Sequence, residues 1–127
     1  MGMYGRAAIS AAQMLERGVP SNPETAWNRA IARETTSSES RRKSCPRGAF
    51  LELCAAGLIP GCDAKASLVR SANGDYAVHL VKAIRGDEAL LSDRARLWRV
   101  AAGRRKKENG QIDVVTALWD EGVIGPE

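Results

Sequence analysis

Apolar residues recur at three- and four-residue steps along almost the whole chain, which is the period of an amphipathic α-helix. The first segment with this period spans about residues 4–17, and the glycine that follows it, Gly18, is typical of a helix C-cap. Its apolar positions are Ala7, Ala8, Ala11, Ala12, Met14 and Leu15. The pattern therefore predicts a first helix that ends at Gly18.

A second helix is predicted over about residues 23–34. It begins either with a capping box of Ser21 and Glu24 or with an Asn22 cap followed by Pro23 at the first helical position. A third helix is predicted to open at Cys45-Pro46 and to end at Gly57, with Pro46 at its first position. The apolar face of the third helix contains Ala49, Phe50, Leu53, Cys54 and Ala56.

Three more helices are predicted in the second half of the chain. The first spans residues 76–85 after an Asp75 cap, and the second follows a Ser92 cap and closes at Gly103. The third spans about residues 111–121 and ends at Gly122.

The remaining segments are polar or rich in glycine and serine. Residues 35–40 are predicted to be a loop or a short helical turn, and residues 60–74 an irregular connection. Extended backbone is expected only at residues 58–59, 67–69 and 123–124. The fold class is therefore all-α, with five or six short helices in a single domain over residues 1–127. The predicted core contains Trp27, Phe50, Leu53, Leu80, Leu97, Trp98, Leu118 and Trp119.

Residues 49–59 align without gaps on residues 114–124. Both strings are an apolar helix, a glycine and a hydrophobic pair, so they indicate either a duplicated helix pair or the sequence preference of one helix C-cap motif. In a duplication, the two basic segments described below would be related by pseudo-symmetry.

The composition fits one small globular domain. The chain has 127 residues, 44% of them hydrophobic and 27% charged. Three cysteines, Cys45, Cys54 and Cys62, form no disulfide framework because their number is odd and they lie close together, so a reduced, cytoplasmic protein is expected. No apolar run approaches the ~20 residues that span a bilayer, and no motif indicates a cofactor.

The net charge of +4 is concentrated in two short segments. The first basic segment, residues 41–47, contains Arg41, Arg42, Lys43 and Arg47, and the second basic segment, residues 104–107, contains Arg104, Arg105, Lys106 and Lys107. The rest of the chain has 11 basic and 15 acidic residues and is therefore net negative. The position of the charge thus indicates more about a partner than the isoelectric point does.

Two strings carry a resemblance to a known family. The helix start Ser44-Cys45-Pro46-Arg47-Gly48-Ala49-Phe50 and the C-terminal Gln111-x-Asp113-Val114-Val115-x-Ala117-Leu118-Trp119 resemble a family of small bacterial proteins built on a domain of unknown function. The resemblance covers nearly the whole chain. Short proteins of this kind also resemble proteins that are carried on mobile gene cassettes. It implies no activity, cofactor or catalytic residue.

The start of the third helix is the sharpest candidate site. Its first N–H groups, Gly48 and the guanidinium groups of Arg41, Arg42 and Arg47 would together suit an anion or a phosphate, with Lys43 and Cys45 beside them. In the structural alternative, this basic run is a solvated surface matched to nearby carboxylates.

Cys45 has a second interpretation as a reactive thiol. A helix N-terminus and neighbouring cations favour the thiolate, but the sequence fixes no base beside it. The structural alternative, a small half-buried cap residue, is therefore preferred. A zinc set of Cys45, Cys54, Cys62 and His79 is rejected, because Cys45 and Cys54 would lie about 13.5 Å apart along one helix. No metal site is therefore predicted.

Two functions are carried forward from the sequence. The first is a non-enzymatic binding module in which both basic segments hold an anionic partner: nucleic acid, a phosphorylated ligand or an acidic protein. The second is a thiol-dependent enzyme or redox sensor that uses Cys45. For the binding module, two double variants, Arg41→Ala/Arg42→Ala and Arg104→Ala/Arg105→Ala, should each flatten the slope of log K against log salt by a similar amount. Both should leave thermal stability nearly unchanged. No membrane partner is expected, and a homodimer is left open.

Overall fold

Seven α-helices and one 3-10 helix make up the part of the chain that the computed structural model describes, residues 2–62, 76–104 and 106–126. They are α1 (Met3–Arg17), α2 (Pro23–Glu34), α3 (Ser38–Arg42), α4 (Ser44–Ala55), α5 (Tyr76–Gly86), the 3-10 helix Glu88–Ser92, α6 (Arg94–Ala102) and α7 (Gln111–Asp120). These residues contain no strand, so the all-α prediction is confirmed. The short α3 lies in and just after the polar run predicted as a loop or short helical turn.

The helices pack around one hydrophobic cluster. Helix α1 lies against α2 and α7, α4 lies against α7 and α5, and α5 also lies against α6 and α7. Trp27 of α2 and Phe50 of α4 meet in the centre with ring centroids 5.5 Å apart, and both are fully buried. All the predicted core residues are buried except Trp119, which is half-buried against the cluster.

Side-chain oxygens cap the N-termini of α2 and α6 at or next to the predicted positions. Asn22 accepts a hydrogen bond from Thr25 N at 3.1 Å, which decides between the two starts considered for α2. The predicted Ser92 cap of α6 is wrong, because Asp93 accepts from Arg96 N at 3.2 Å. Ser92 ends the 3-10 helix, and its hydroxyl donates to Ala89 O at 2.8 Å. A carboxylate at a helix start also interacts favourably with the helix dipole.

Helix α4 begins two residues before the predicted Pro46. Lys43, with φ −57° and ψ 120°, is the only residue between the last turn of α3 and Ser44, the first residue of α4. Pro46 is therefore the third residue of α4. A proline fits there as well, because none of the first four N–H groups of a helix has an intrahelical acceptor.

The two strings that align with each other end in the same hydrogen bonds. Leu58 N donates to Leu53 O at 3.0 Å, and Val123 N donates to Leu118 O at 2.9 Å. Helix α1 ends in the same way, with Val19 N donating to Met14 O at 3.1 Å, although it lies outside the aligned strings. A recurring C-cap motif therefore accounts for the alignment without a duplication.

Some predicted features fall outside the described residues. The Asp75 cap and the extended backbone at 67–69 belong to this group, and residues 58–59 and 123–124 lie in no strand. Within the described ranges, no helix is both long and apolar enough to cross a membrane.

Candidate functional site

Two cavities flank the first turn of α4. The lysine cavity, about 390 Å³, is lined by Cys45, Tyr76, residues 106–109 and Gln111. The arginine cavity, about 320 Å³, is lined by Asn28, Arg41, Arg42, Ser44 and Arg47. Ser44 and Cys45 are neighbours in the chain, so the two basic segments meet at the start of α4 although about 60 residues separate them in sequence.

The second basic segment is fastened to the fold on two sides. On α6, the indole Nε1 of Trp98 donates to the carbonyl oxygen of Lys106 at 2.7 Å. On α4, a Cβ added to Gly110 would lie 3.2 Å from Pro46 Cβ, and the φ of Gly110 is +98°. A side chain at position 110 would therefore be strained as well as crowded. These contacts hold Lys106 and Lys107 beside Cys45.

The N-terminus of α7 is filled by the protein's own side chains. Glu108 Oε1 accepts hydrogen bonds from Gly110 N at 2.7 Å and from Ile112 N at 3.1 Å. Gln111 Oε1 accepts from Asn109 N at 2.7 Å. Two of the N–H groups with which this helix start could hold an external anion are thus occupied by the Glu108 carboxylate.

In the first basic segment, Arg41 hydrogen-bonds to carbonyl groups at the C-terminus of α2. Its Nε donates to Thr35 O at 2.7 Å, and its Nη2 donates to Ala32 O at 3.0 Å. The last carbonyl groups of a helix lack intrahelical donors, and a guanidinium supplies them. Arg42 is exposed and donates through Nε to Ser38 O at 3.2 Å within its own short helix.

The other cations of the first basic segment also contact neighbouring side chains. Lys43 Nζ lies 5.6 Å from the ring centroid of Tyr4, a cation–π contact. Arg47 Nη2 lies 3.5 Å from Glu24 Oε2. Gly48, predicted to let an anion approach the backbone, is buried and lines neither cavity.

The described residues of the second basic segment face solvent. Arg104, Lys106 and Lys107 are exposed, and in the described part of the chain no carboxylate forms an ion pair with them. Arg105 lies outside the described residues. The lysine ammonium groups at the rim of the cavity are therefore available to an external anion.

The sequence reasoning missed three arginines on α6. Arg94, Arg96 and Arg99 are exposed and continue the second basic segment towards the start of α6. Seven basic residues and no acidic residue lie between Asp93 and Glu108. This excess of basic residues is visible when charges are counted over a window of 14 residues, but not in contiguous runs of charge. We call the exposed side chains of residues 94–107 the basic face.

A groove between α6 and the start of α7 adjoins the basic face. Its volume is about 570 Å³, and it is lined by Arg94, Ala95, Trp98, Arg99, Glu108 and Ile112. Arg94 Nη2 pairs with Asp113 Oδ1 of α7, which ties the first turn of α6 to α7. Glu108 lines both the groove and the lysine cavity, so the two lie next to each other at this residue.

Cys45 is half-buried in the lysine cavity beside an amide. Asn109 Nδ2 donates to Cys45 Sγ at 3.7 Å. A carboxamide does not accept a proton at neutral pH, so Asn109 positions the thiol without acting as a base. His79 is exposed on α5 and is not among the lining residues. The lining of the lysine cavity in the described residues contains no histidine, and its carboxylate, Glu108, already accepts two backbone N–H groups.

The other two cysteines lie at the far end of α4. Burial raises the pKa of the Cys54 thiol well above its ordinary value, and the neighbouring Cys62 thiol raises it further. Cys54 therefore stays protonated and belongs to the core, as predicted.

The fold and the site together define a small all-helical protein with a run of exposed basic residues beside two cavities. The chain belongs to a family of unknown function, DUF6979, whose model matches residues 1–125. No curated protein and no solved structure matches the chain. The resemblance to a family of unknown function is therefore confirmed over nearly the whole chain, and the function has to be inferred from the site itself.

Proposed function

We propose that this protein is a non-enzymatic binding module that holds an anionic partner on its basic face. The observation that carries the proposal is the run of seven basic residues without a carboxylate between Asp93 and Glu108. All six of them that the structure describes are exposed. Positive charges that lie close together create a positive electrostatic potential, which attracts a partner that carries several negative charges.

The extent of the basic face favours a phosphate backbone over a single phosphate group. Helix α6 alone has nine residues, which corresponds to a length of about 13 Å. The exposed cations continue beyond it to Lys107 at the lysine cavity. Several phosphates of a nucleic acid fit along such a face, and a small phosphorylated ligand would engage only the cavity at its end.

The same geometry supports binding without strong sequence preference. Trp98 is 7% exposed, and its ring centroid lies 5.6 Å from that of Tyr76. The indole ring is therefore packed inside the fold and is not presented to a base. Bases are read by stacking on exposed aromatic rings or by side chains that enter a groove. The basic face offers charge for phosphate contacts instead.

The two basic segments contribute unequally in this proposal. Arg41 and Arg47 already contact groups of the protein, and the guanidinium of Arg41 is held at the end of α2. Lys106 and Lys107 are exposed without an ion pair in the described part of the chain. The second basic segment, with Arg96 and Arg99 of α6, therefore supplies the contacts to the partner. Arg94 is paired with Asp113, and the first basic segment adds to the surrounding field.

The salt dependence of duplex DNA binding tests the proposal. Affinity for a fluorescent duplex is measured by anisotropy from low to physiological salt, for the wild type and for Lys106→Gln with Lys107→Gln. Each neutralised phosphate contributes a slope of about −0.9, so losing two contacts flattens the plot of log K against log salt by about 1.8.

A charge-matched control separates specific contacts from net charge. Arg29→Gln with Arg33→Gln removes two exposed charges from α2, outside both cavities. The proposal expects this variant to keep the wild-type slope. Absence of binding to duplex DNA, single-stranded DNA and inorganic polyphosphate at low salt would show that the basic face is only a solvated surface.

A thiol function at Cys45 is the second candidate, favoured by the placement of this thiol in the lysine cavity beside Asn109 Nδ2. A reactive Cys45 would be alkylated by iodoacetamide at neutral pH faster than Cys54 and Cys62. Equal rates at all three cysteines, or protection of Cys45, would remove this candidate. A bacterial source, a gene-cassette setting and a cytoplasmic location stay predictions.

A further inference from the structure

The lysine cavity differs in shape from the exposed cations that lead to it. Its volume is about 390 Å³, and a water molecule occupies about 30 Å³ in the liquid, so the cavity has room for a phosphate group with several waters. Lys106 and Lys107 belong both to the basic face and to the lining of this cavity. A row of phosphates that lies along α6 would therefore reach the cavity at one end of the basic face.

Two carboxamides line the same cavity beside the lysines, and hydrogen bonds hold both of them. The amide nitrogen of Asn109 carries two hydrogens, and it donates to Cys45 Sγ at 3.7 Å. Gln111 is 3% exposed, and its Oε1 accepts a hydrogen bond from Asn109 N at 2.7 Å. The polar groups of the cavity are thus positioned before a ligand enters, which lowers the entropic cost of binding.

The carboxylate among the described lining residues, Glu108, is partly neutralised by the start of α7. Its Oε1 accepts hydrogen bonds from Gly110 N at 2.7 Å and from Ile112 N at 3.1 Å. The N–H groups at a helix start carry a partial positive charge of about half an elementary charge, which offsets part of the charge of a carboxylate bonded to them. The ammonium groups of Lys106 and Lys107 therefore outweigh Glu108, and the charge balance of the cavity is positive.

We propose, on the basis of the proposed function, that the lysine cavity binds a phosphomonoester: the terminal phosphate of the nucleic acid that lies on the basic face. A phosphomonoester carries a charge of about −1.5 to −2 at neutral pH and three acceptor oxygens, which suit two ammonium groups and neighbouring amide donors. A phosphate inside a strand carries a single negative charge and has a sugar on both sides. It can lie along the basic face, but only a terminal phosphate can enter the cavity end-on.

Three unlabelled, blunt-ended DNA duplexes of one sequence test this proposal. The first has hydroxyl groups at every strand end, the second has 5′-phosphates, and the third has 3′-phosphates. Each duplex competes for the full-length protein against an internally labelled duplex with hydroxyl ends, and fluorescence anisotropy gives its affinity at one fixed salt concentration. The three duplexes share their internal phosphates, so a difference between them reports on the strand ends.

We expect a phosphorylated duplex to bind about tenfold more tightly than the hydroxyl duplex, the size of effect that one added hydrogen bond to a charged group produces. The end that gives this gain, 5′ or 3′, identifies the terminus that enters the cavity. Asn109→Asp places a carboxylate of nearly the same size in the lysine cavity and should bring the ratio of the two affinities close to one. Asn28→Asp, the matched control, makes the same change at an exposed residue of the arginine cavity and should keep the ratio.

Equal affinities of the wild type for the three duplexes would overturn the terminal-phosphate site and leave the proposed function standing. Failure of all three duplexes to bind at low salt would overturn both. A preference that Asn109→Asp keeps, or that Asn28→Asp loses as well, would contradict the placement of the phosphate in the lysine cavity. The wild-type comparison decides the question even where a variant fails to fold, and the melting temperatures of both variants show whether they do.

Discussion

The two basic segments have nearly the same composition, but their charged side chains make different contacts in the fold. In the first basic segment, Arg41 donates to two carbonyl oxygens at the end of α2, and Arg47 pairs with Glu24. In the second, the indole of Trp98 holds the backbone of Lys106, and the side chains of Lys106 and Lys107 are exposed to solvent. One segment uses cations to complete the fold, and the other presents them.

The difference comes from the groups that surround each segment. The first basic segment follows directly after α2, where unpaired helix carbonyls need donors and a guanidinium can reach two of them. The second lies between α6 and α7, and its one acidic neighbour, Glu108, already accepts two backbone N–H groups. Free acceptors near a cation, and not the number of cations, decide whether it serves the fold or a partner.

The largest expected effect on stability is that of Arg41→Ala. It leaves the carbonyls of Thr35 and Ala32 without their charged donor, and hydrogen bonds to charged groups contribute about 2 kcal/mol to folding. Urea denaturation should show a free energy of unfolding lower by about 2 kcal/mol. A loss no greater than that of Lys107→Ala would remove the distinction between the two segments.

Removal of the Glu108 carboxylate should affect both stability and anion binding. Glu108→Ala exposes the N–H groups of Gly110 and Ile112 and should cost about 1.5 kcal/mol, the upper part of the range for a lost helix cap. It also opens the start of α7, so inorganic phosphate should raise the melting temperature of this variant more than that of the wild type. Equal shifts would show that the carboxylate does not block an anion there.

The anchor of the second basic segment can be removed without changing its charge. Trp98→Phe deletes the donor to Lys106 O and should cost about 1 kcal/mol for that bond. Because the lysines are then less well positioned, duplex DNA affinity should fall while the salt slope stays the same. Hydrogen exchange at residues 106–110 and anisotropy measure the two effects, and unchanged affinity would show that the anchor does not matter for binding.

The smallest effect on stability should come from the exposed lysines. Lys106→Ala and Lys107→Ala should each change the free energy of unfolding by less than about 0.5 kcal/mol, because exposed surface charges contribute little. Urea denaturation of both variants, with Arg41→Ala beside them, makes the comparison direct. A loss near 2 kcal/mol for either lysine would place it among the cations that complete the fold.

Local sequence features predicted most of the helices. Apolar periodicity and the glycines at 18, 57 and 122 placed the main elements, since a helix and its C-cap depend on neighbours within a few residues. The errors were also local. Asp93 replaced Ser92 as a cap, and α4 started at Ser44 because Lys43, with φ −57° and ψ 120°, lies outside the helical region.

The site could be predicted only in part. Sequence placed the cations at the ends of helices, but not the acceptors of Arg41, which depend on how α3 folds back on α2. The meeting of Lys106 with Cys45 depends on the packing of Gly110 on Pro46, a tertiary contact without a local signal. The excess of arginine on α6, in contrast, was present in the composition of one window and needed only to be counted.

The salt slope for duplex DNA, measured side by side for one pair from each segment, tests the central claim most directly. The account predicts that Lys106→Ala with Lys107→Ala flattens the slope by about 1.8, two contacts at about 0.9 each, while Arg41→Ala with Arg42→Ala keeps the wild-type slope and lowers the melting temperature. Equal flattening by the two pairs, with no loss of stability for the arginine pair, would contradict it.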